Sequence, residues 1–255
     1  PIPEVPPVSA FFEDARGTLW VLGQGLRQVD REAGALVRPA ALPPALAEAR
    51  TTVMLEDPQG WFWLGTLDGV YRFDAAFESV ERFSLYLPGD VASQNWVLAL
   101  HLDRSGSLWV GTPWGLHRHD PVSSVFTLLE HDPRDTGSMG SGLVLSLLED
   151  GDGAVWVGTL GGGLNRLDRA TGRVRRFRLG SGAAADVREE WVWSLARDGD
   201  VLWVGTESGL LELRGGQGEA PMAVERIPLP APGPPTARGP SGTGRQTRRD
   251  HGRNG

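Results

Sequence analysis

The residues best suited to hold a polar organic molecule form two short runs, Gln94-Asn95-Trp96 and Glu189-Glu190-Trp191, and three single positions, Asp68, Trp114 and Glu207. Indole faces flanked by amide and carboxylate groups suit a sugar or a similar small molecule, through stacking joined to directed hydrogen bonds. The plainer alternative is that Trp96 and Trp191 cap a core. Chemistry of a reactive kind is harder to find. His117-x-His119 places two imidazoles on one face of an extended segment, a spacing that suits a metal ion. Related segments carry Tyr71 and Phe73, Asn165 and Leu167, and Leu211 and Leu213 at those places, so the positions accept apolar residues and no third ligand accompanies the pair. Asp150-Gly-Asp-Gly153 opens like a calcium loop but lacks the later ligands and the closing bidentate Glu, which leaves a turn. His101 and Glu149 would serve as acid and base only on a shared channel, and nothing in their spacing pairs them. Neither metal nor cofactor is expected. The chain is expected to be non-enzymatic, with a lyase or hydrolase as one alternative.

The elements that must position these residues repeat. Tryptophans fall at Trp20, Trp63, Trp109, Trp156 and Trp203, separated by 43, 46, 47 and 47 residues. That period, carried by strand-like units, signals stacked blades of a β-propeller. In register, the copies read as an inner strand (Val8–Asp14, Thr51–Asp57, Val97–Asp103, Val144–Asp150, Val192–Asp198), a turn, a Trp strand ending in Gly-Thr, a Gly-Leu strand, and an outer strand seen at Gly172–Phe177 and Glu78–Phe83. The inner strands are mostly apolar and are expected to be buried on both faces. Four turns space Asp and Gly three apart, at Asp14/Gly17, Asp57/Gly60, Asp103/Gly106 and Asp150/Gly153; Asp bonds the backbone two residues on and Gly accepts positive φ. The fifth turn, Asp198-Gly-Asp200, is one residue shorter, and the first copy lacks the Thr of Gly-Thr. One Trp per repeat, in mid-strand, is expected to pack one blade on the next.

The fold expected is all-β, a propeller of four-stranded antiparallel blades with five copies at about residues 5–50, 51–93, 94–140, 141–188 and 189–228. Residues 229–255, rich in Pro, Gly and Arg, are expected to be a disordered tail. In such a blade, the loop into the inner strand and the loop between strands two and three emerge at one end, which would gather the two Trp runs with Asp68, Trp114 and Glu207.

Composition narrows the partners. The 255 residues carry a net charge of −7, all 25 basic residues are Arg, and the tail holds five of them against one acid, so the repeat body is more acidic than the whole. An acidic body argues against nucleic acid. The tail's Arg residues, spaced by Gly and Pro, are read as solvated. Without Cys there is no disulfide framework, zinc ribbon or thiol nucleophile. The chain opens at Pro1 and shows no stretch long enough to span a bilayer, so it is expected to be a fragment, a processed chain or a truncated product.

Residues 147–168, Leu-Leu-Glu-Asp-Gly-Asp-Gly-Ala-Val-Trp-Val-Gly-Thr-Leu-Gly-Gly-Gly-Leu-Asn-Arg-Leu-Asp, strongly resemble the two-component regulator propeller repeat, as does the lead-in loop from His131 to Ser138. The resemblance spans about residues 5–228. It implies the extracytoplasmic, periplasmic sensor half of a bacterial membrane receptor, whose output signalling domain, a histidine kinase or similar, lies outside this chain. It further implies a seven-bladed ring, from which five copies depart. On this reading the chain senses a small-molecule or carbohydrate ligand and is a candidate homodimer; the alternatives are an interaction scaffold and a propeller enzyme.

Overall fold

The computed structural model describes residues 7–85, 95–122, 125–177, 179, 191–215 and 222–227. Gln94, Glu189, Glu190 and the 229–255 tail lie outside them. Within them the chain forms five four-stranded antiparallel sheets, each a simple meander. Blade 1 comprises β1 (Val8–Glu13), β2 (Leu19–Gly23), β3 (Arg27–Asp30) and β4 (Ala35–Val37), and a one-turn helix, α1 (Pro44–Glu48), leads out of it. Blade 2 is β5 (Thr51–Glu56), β6 (Phe62–Thr66), β7 (Gly69–Phe73) and β8 (Val80–Phe83). Blade 3 is β9 (Ala99–Leu102), β10 (Leu108–Gly111), β11 (Leu116–His119) and β12 (Phe126–Leu129). Blade 4 is β13 (Val144–Glu149), β14 (Val155–Thr159), β15 (Leu164–Leu167) and β16 (Val174–Phe177). Blade 5 is β17 (Val192–Asp198), β18 (Val201–Thr206), β19 (Gly209–Gly215) and β20 (Met222–Ile227).

Inner strands pack in chain order, β1 on β5, β5 on β9, β9 on β13 and β13 on β17, with no comparable contact between β17 and β1. The cores show how each joint is made. Trp20, Leu22 and Leu26 of blade 1 meet Phe62, Leu64 and Phe73 of blade 2, and Trp63 and Val70 meet Leu108 and Val110 of blade 3. Trp109 and Leu116 meet Val155 and Val157 of blade 4, and Trp156 and Leu164 meet Val204 and Leu211 of blade 5. The Trp face of each blade thus packs on the apolar face of the next, aromatic at the first joint and aliphatic at the other three. Trp20, Trp63, Trp109 and Trp156 are buried, each removing about 150–250 Å² from water. Trp203, on the last blade, has no following blade among the described residues and stays partly exposed.

The motif columns have identifiable work. In the first three turns the Asp Oδ1 accepts from backbone N–H groups two and four residues on, and the Asp Oδ2 accepts from the indole six residues on: Trp20 to Asp14 at 2.9 Å, Trp63 to Asp57 at 3.1 Å, Trp109 to Asp103 at 2.8 Å. One carboxylate therefore closes the hairpin and satisfies the buried indole N–H, which would otherwise cost about 1–3 kcal/mol. The Thr of Gly-Thr donates to the carbonyl of the Gly that opens the third strand, at 2.9 Å in each of Thr66, Thr112, Thr159 and Thr206.

The Gly of Gly-Thr answers to the neighbouring blade. A Cβ on Gly111 would stand 2.6 Å from Val144 Cγ1 and one on Gly65 would stand 2.5 Å from Val97 Cγ1, both in the following blade.

One expectation needs correction: the inner strands are not buried on both faces. Phe11 is 65% exposed, and β17 alternates between exposed and half-buried positions. The most buried row is the Trp strand of blades 2, 3 and 4, which is covered by strands on either side and by a blade on each face, with the third strand close behind it. Inner strands instead leave one edge unpaired within their own sheet.

Candidate functional site

The loops that enter the inner strands and the loops between second and third strands do share one end of the blades. Trp96, which precedes β9, meets Trp114 of the β10–β11 loop edge to face, with ring centroids 6.3 Å apart. Trp191 bridges to Leu160 of the preceding blade's loop, and its carbonyl accepts from the Glu207 N–H at 3.3 Å. The six described candidates divide into separate groups. Trp96, 40% exposed, and the half-buried Trp114 form an indole pair on blade 3. On blade 5, Trp191 packs edge to face on Trp193, whose Nε1 donates to the Glu207 carboxylate at 3.0 Å. Asp68 is engaged by Arg82 at 2.6 Å, and the Asn95 Oδ1 accepts from the Leu85 N–H at 2.9 Å and the Ser84 hydroxyl at 3.2 Å. Asn95, on the approach to blade 3, is thus tied to the residues that follow β8 of blade 2. Among the described residues no hydrogen bond, ion pair or ring contact joins the blade 3 indoles to the blade 5 group.

Trp193 was not among the expected site residues. It sits at a register shift in β17, between Val192 and Ser194, where one strand carries an extra residue. The same irregularity occurs in β1, β5 and β13. A bulge re-aims one side chain, and 47% of Trp193 is exposed as a result of its position there. Simple alternation along the sequence carries no mark of it.

At the opposite end, where the Asp turns lie, charge is distributed joint by joint. In blades 2, 4 and 5 the residue before the turn Asp reaches back to the preceding blade. Glu56 accepts from the Ala15 N–H at 2.8 Å, and Glu149 from the Arg104 N–H at 3.0 Å. Arg197 pairs with Asp150. The joint between blades 3 and 4 gains two more ties, Arg169 to Asp103 at 2.6 Å and Arg104 to Glu149 at 3.1 Å, and Arg169 also pairs with Glu149 of its own blade at 3.5 Å. Burial alone would raise the Asp103 carboxyl, but hydrogen bonds from Ser105, Trp109 and Arg169 outweigh it and bring its pKa down to about 2.

The joint between blades 2 and 3 departs from this scheme. Pro58 stands where Ala15 and Arg104 offer an N–H, Leu102 where Glu56 and Glu149 accept it, and Pro121 where blade 4 has Arg169. In place of the missing ties is a cavity of about 440 Å³ lined by Pro58, Leu102 and Pro121 together with Trp63, Arg72 and His119. His117 and His119 are both buried, and burial holds both imidazoles below their ordinary pKa, His117 at about 4. No group of three or more metal-ligating side chains occurs among the described residues. None of the six rim candidates lines this cavity.

A further column that sequence reading passed over is the Arg opposite the Trp of blades 2, 3 and 4. Arg72, Arg118 and Arg166 pair across the sheet with Trp63, Trp109 and Trp156 and hold their guanidinium carbons 5.3–5.7 Å from those rings. The signal was an offset of nine or ten residues from Trp63, Trp109 and Trp156, hidden because every basic residue in the chain is Arg.

Against known proteins, two segments match the family model of the two component regulator propeller, residues 92–114 and 138–161, the second overlapping the residues on which the sequence resemblance rests. That resemblance is borne out. No curated protein matches the chain in sequence. Among solved structures, it is similar to the extracellular domain of BT4673 from B. thetaiotaomicron, assigned to a hybrid two component system (TM-score 0.67, 21% identity, 89% of this chain and 28% of that one). It is similar also to the corresponding domain of BT3049 from the same organism (TM-score 0.66, 20% identity, 87% and 28%). A structure assigned as a gluconolactonase is more distant (TM-score 0.53, 13% identity, 86% and 76%). The chain spans about 28% of the length of the two B. thetaiotaomicron domains. At these identities the likeness establishes the fold, a blade array shared by extracellular domains of two component systems and by a structure assigned as a gluconolactonase.

Proposed function

We propose that this chain is part of a non-catalytic, ligand-sensing propeller in a bacterial two-component receptor, placed on the extracytoplasmic side and coupled to an output domain of the same receptor. Support comes from the two family-model segments and from the extracellular two component domains among its structural neighbours. No helix among the described residues is long and apolar enough to cross a membrane. The observation that carries the reading is the division of labour among residues. The recurring Asp, Trp, Gly, Thr and Arg are occupied in holding blades together, whereas the rim indoles Trp96, Trp114, Trp191 and Trp193 differ from copy to copy and gather at one end. Half-exposed indoles beside the Glu207 carboxylate suit a hydroxylated ring. Signalling requires that the ligand bind two conformations or assembly states unequally.

Titration with a panel of neutral mono- and disaccharides, followed by tryptophan fluorescence, tests this. Trp114→Ala and Trp191→Ala should each weaken binding by about tenfold, the loss of one stacking contact, without moving the thermal midpoint. A collapsed thermal transition would assign the two indoles to packing, and unchanged binding would remove the rim as the site. The scaffold alternative uses the same rim face; a different surface, on blade 1, leaves Phe11 and Leu36 exposed. A second copy seated there would make the receptor a homodimer.

A further inference from the structure

The joint between blades 2 and 3 holds two nitrogen-bearing side chains whose copies elsewhere in the fold are either satisfied or apolar. Arg118 bonds the Ser107 hydroxyl at 3.2 Å through Nη2, and Arg166 pairs with Asp150 and Asp152. In blade 2 the position of Ser107 is taken by Trp61, and Arg72 lies over that ring at 4.2 Å instead. No protein group hydrogen-bonds Arg72 Nε, which is shut off from solvent, and no ion pair involves Arg72 among the described residues, although Glu81 is its cross-strand partner. His119 is 5% exposed, and its Nε2 likewise has no protein partner. Its equivalents are the apolar Phe73, Leu167 and Leu213, so packing alone does not call for an imidazole.

Both residues line the same cavity of about 440 Å³, which is within the range of small-molecule sites. Its walls are aromatic: Trp63 and Phe83 lie 5.6 Å apart by ring centroid, and His119 is 5.4 Å from Phe83. A guanidinium without an anionic partner, an imidazole with an unused nitrogen and two aromatic walls form one coherent recognition chemistry. An acceptor-bearing planar anion would meet Arg72 with charge-assisted hydrogen bonds, and its ring or chain would lie against the aromatic wall. We propose that this joint is a second binding site, distinct from the rim, for a small organic carboxylate. Three carboxylates also line the cavity: Asp57 and Asp103, which accept from the Trp63 and Trp109 indoles, and the exposed Glu81; they limit how much negative charge the ligand carries and favour a monoanion.

The test uses the whole chain and sodium benzoate as the probe, with benzamide as its neutral counterpart, following the indole N–H resonances of Trp61 and Trp63 by NMR. Benzoate should give saturable shifts of these two indoles. Benzamide should bind at least about tenfold more weakly, as should benzoate to Arg72→Met, because each removes the charged hydrogen bond. Arg118→Met, which alters the equivalent Arg of blade 3, should bind benzoate as the parent does. His119→Phe copies the residue at the equivalent place in blade 2 and provides a variant suited to the fold; it too should weaken benzoate. Absence of saturable shifts, equal binding of benzamide, or unaltered binding by Arg72→Met and His119→Phe would overturn the proposal. Loss of sugar binding at the rim would leave these outcomes untouched, so the two sites fail separately.

Discussion

Two adjacent joints, built on the same framework, differ in what fills them. Between blades 3 and 4, Glu149 accepts from the Arg104 N–H, and Arg169 reaches the buried Asp103. Between blades 2 and 3, Pro58, Leu102 and Pro121 occupy the corresponding places, and a cavity takes the space of the ion pairs. Proline removes the N–H donor and leucine the acceptor, so neither half of the tie is left unsatisfied by the loss of the other. The strands, the Asp–Trp hydrogen bond and the stacked Arg persist in both. The lesson is that blade stacking depends on the recurring columns, while three positions around each Asp turn decide whether a joint is strut or pocket.

The largest effect should come from breaking the strut. Asp103→Ala strips the hydrogen-bond partner from the buried Trp109 indole and from Arg169 together, and should cost about 3 kcal/mol in urea unfolding, in the range for breaking a buried pair. The same carboxylate gives a pH signature. Its folded pKa of about 2 lies below the ordinary value of about 3.9, so its contribution is fully present above about pH 4 and is lost as pH falls through 2. Asp103→Ala should therefore flatten the stability profile between those limits, and an unaltered acid limb would assign that loss to other groups.

A smaller effect separates the interior joints from the last blade. Gly111→Ala forces a Cβ to 2.6 Å from Val144 of the next blade and should cost about 2 kcal/mol by overpacking. At Gly205 the close approach is to Ser194 of its own blade, at 2.3 Å from a hydroxyl on an exposed, rotatable side chain, and Gly205→Ala should stay within about 0.5 kcal/mol. Equal losses at the two sites would mean that the recurring form of the Gly-Thr strand serves its own sheet and not the joint.

Much of the framework was legible in the sequence because it repeats. The Trp period gave five blades, and the Asp-x-x-Gly spacing gave turns whose Gly17, Gly60, Gly106 and Gly153 all have φ between 81 and 86°. What escaped depends on neighbours distant in sequence. The role of Glu56 or Glu149 is visible only when the preceding blade lies beside it, and the cavity only when Pro58, Leu102 and Pro121, 63 residues apart at their extremes, are brought together. The exposure of Trp193 follows from a one-residue register shift that alternation does not encode. Of the rim candidates, Trp96 with Trp114 and Trp191 with Glu207 were brought into contact as expected, while Asp68 and Asn95 were found engaged by Arg82 and by the segment at residues 84–85. Gln94 and Glu190 lie outside the described residues.

The comparison of joints is tested most directly by converting one into the other. Leu102→Glu combined with Pro121→Arg gives the blade 2–3 joint the acid and the guanidinium that blade 4 supplies at Glu149 and Arg169. If these positions decide the matter, the double variant keeps its thermal transition and loses the benzoate-induced shifts of the Trp61 and Trp63 indoles, because the introduced side chains fill the cavity. Benzoate binding equal to that of the parent chain, in a variant that still folds, would contradict the account.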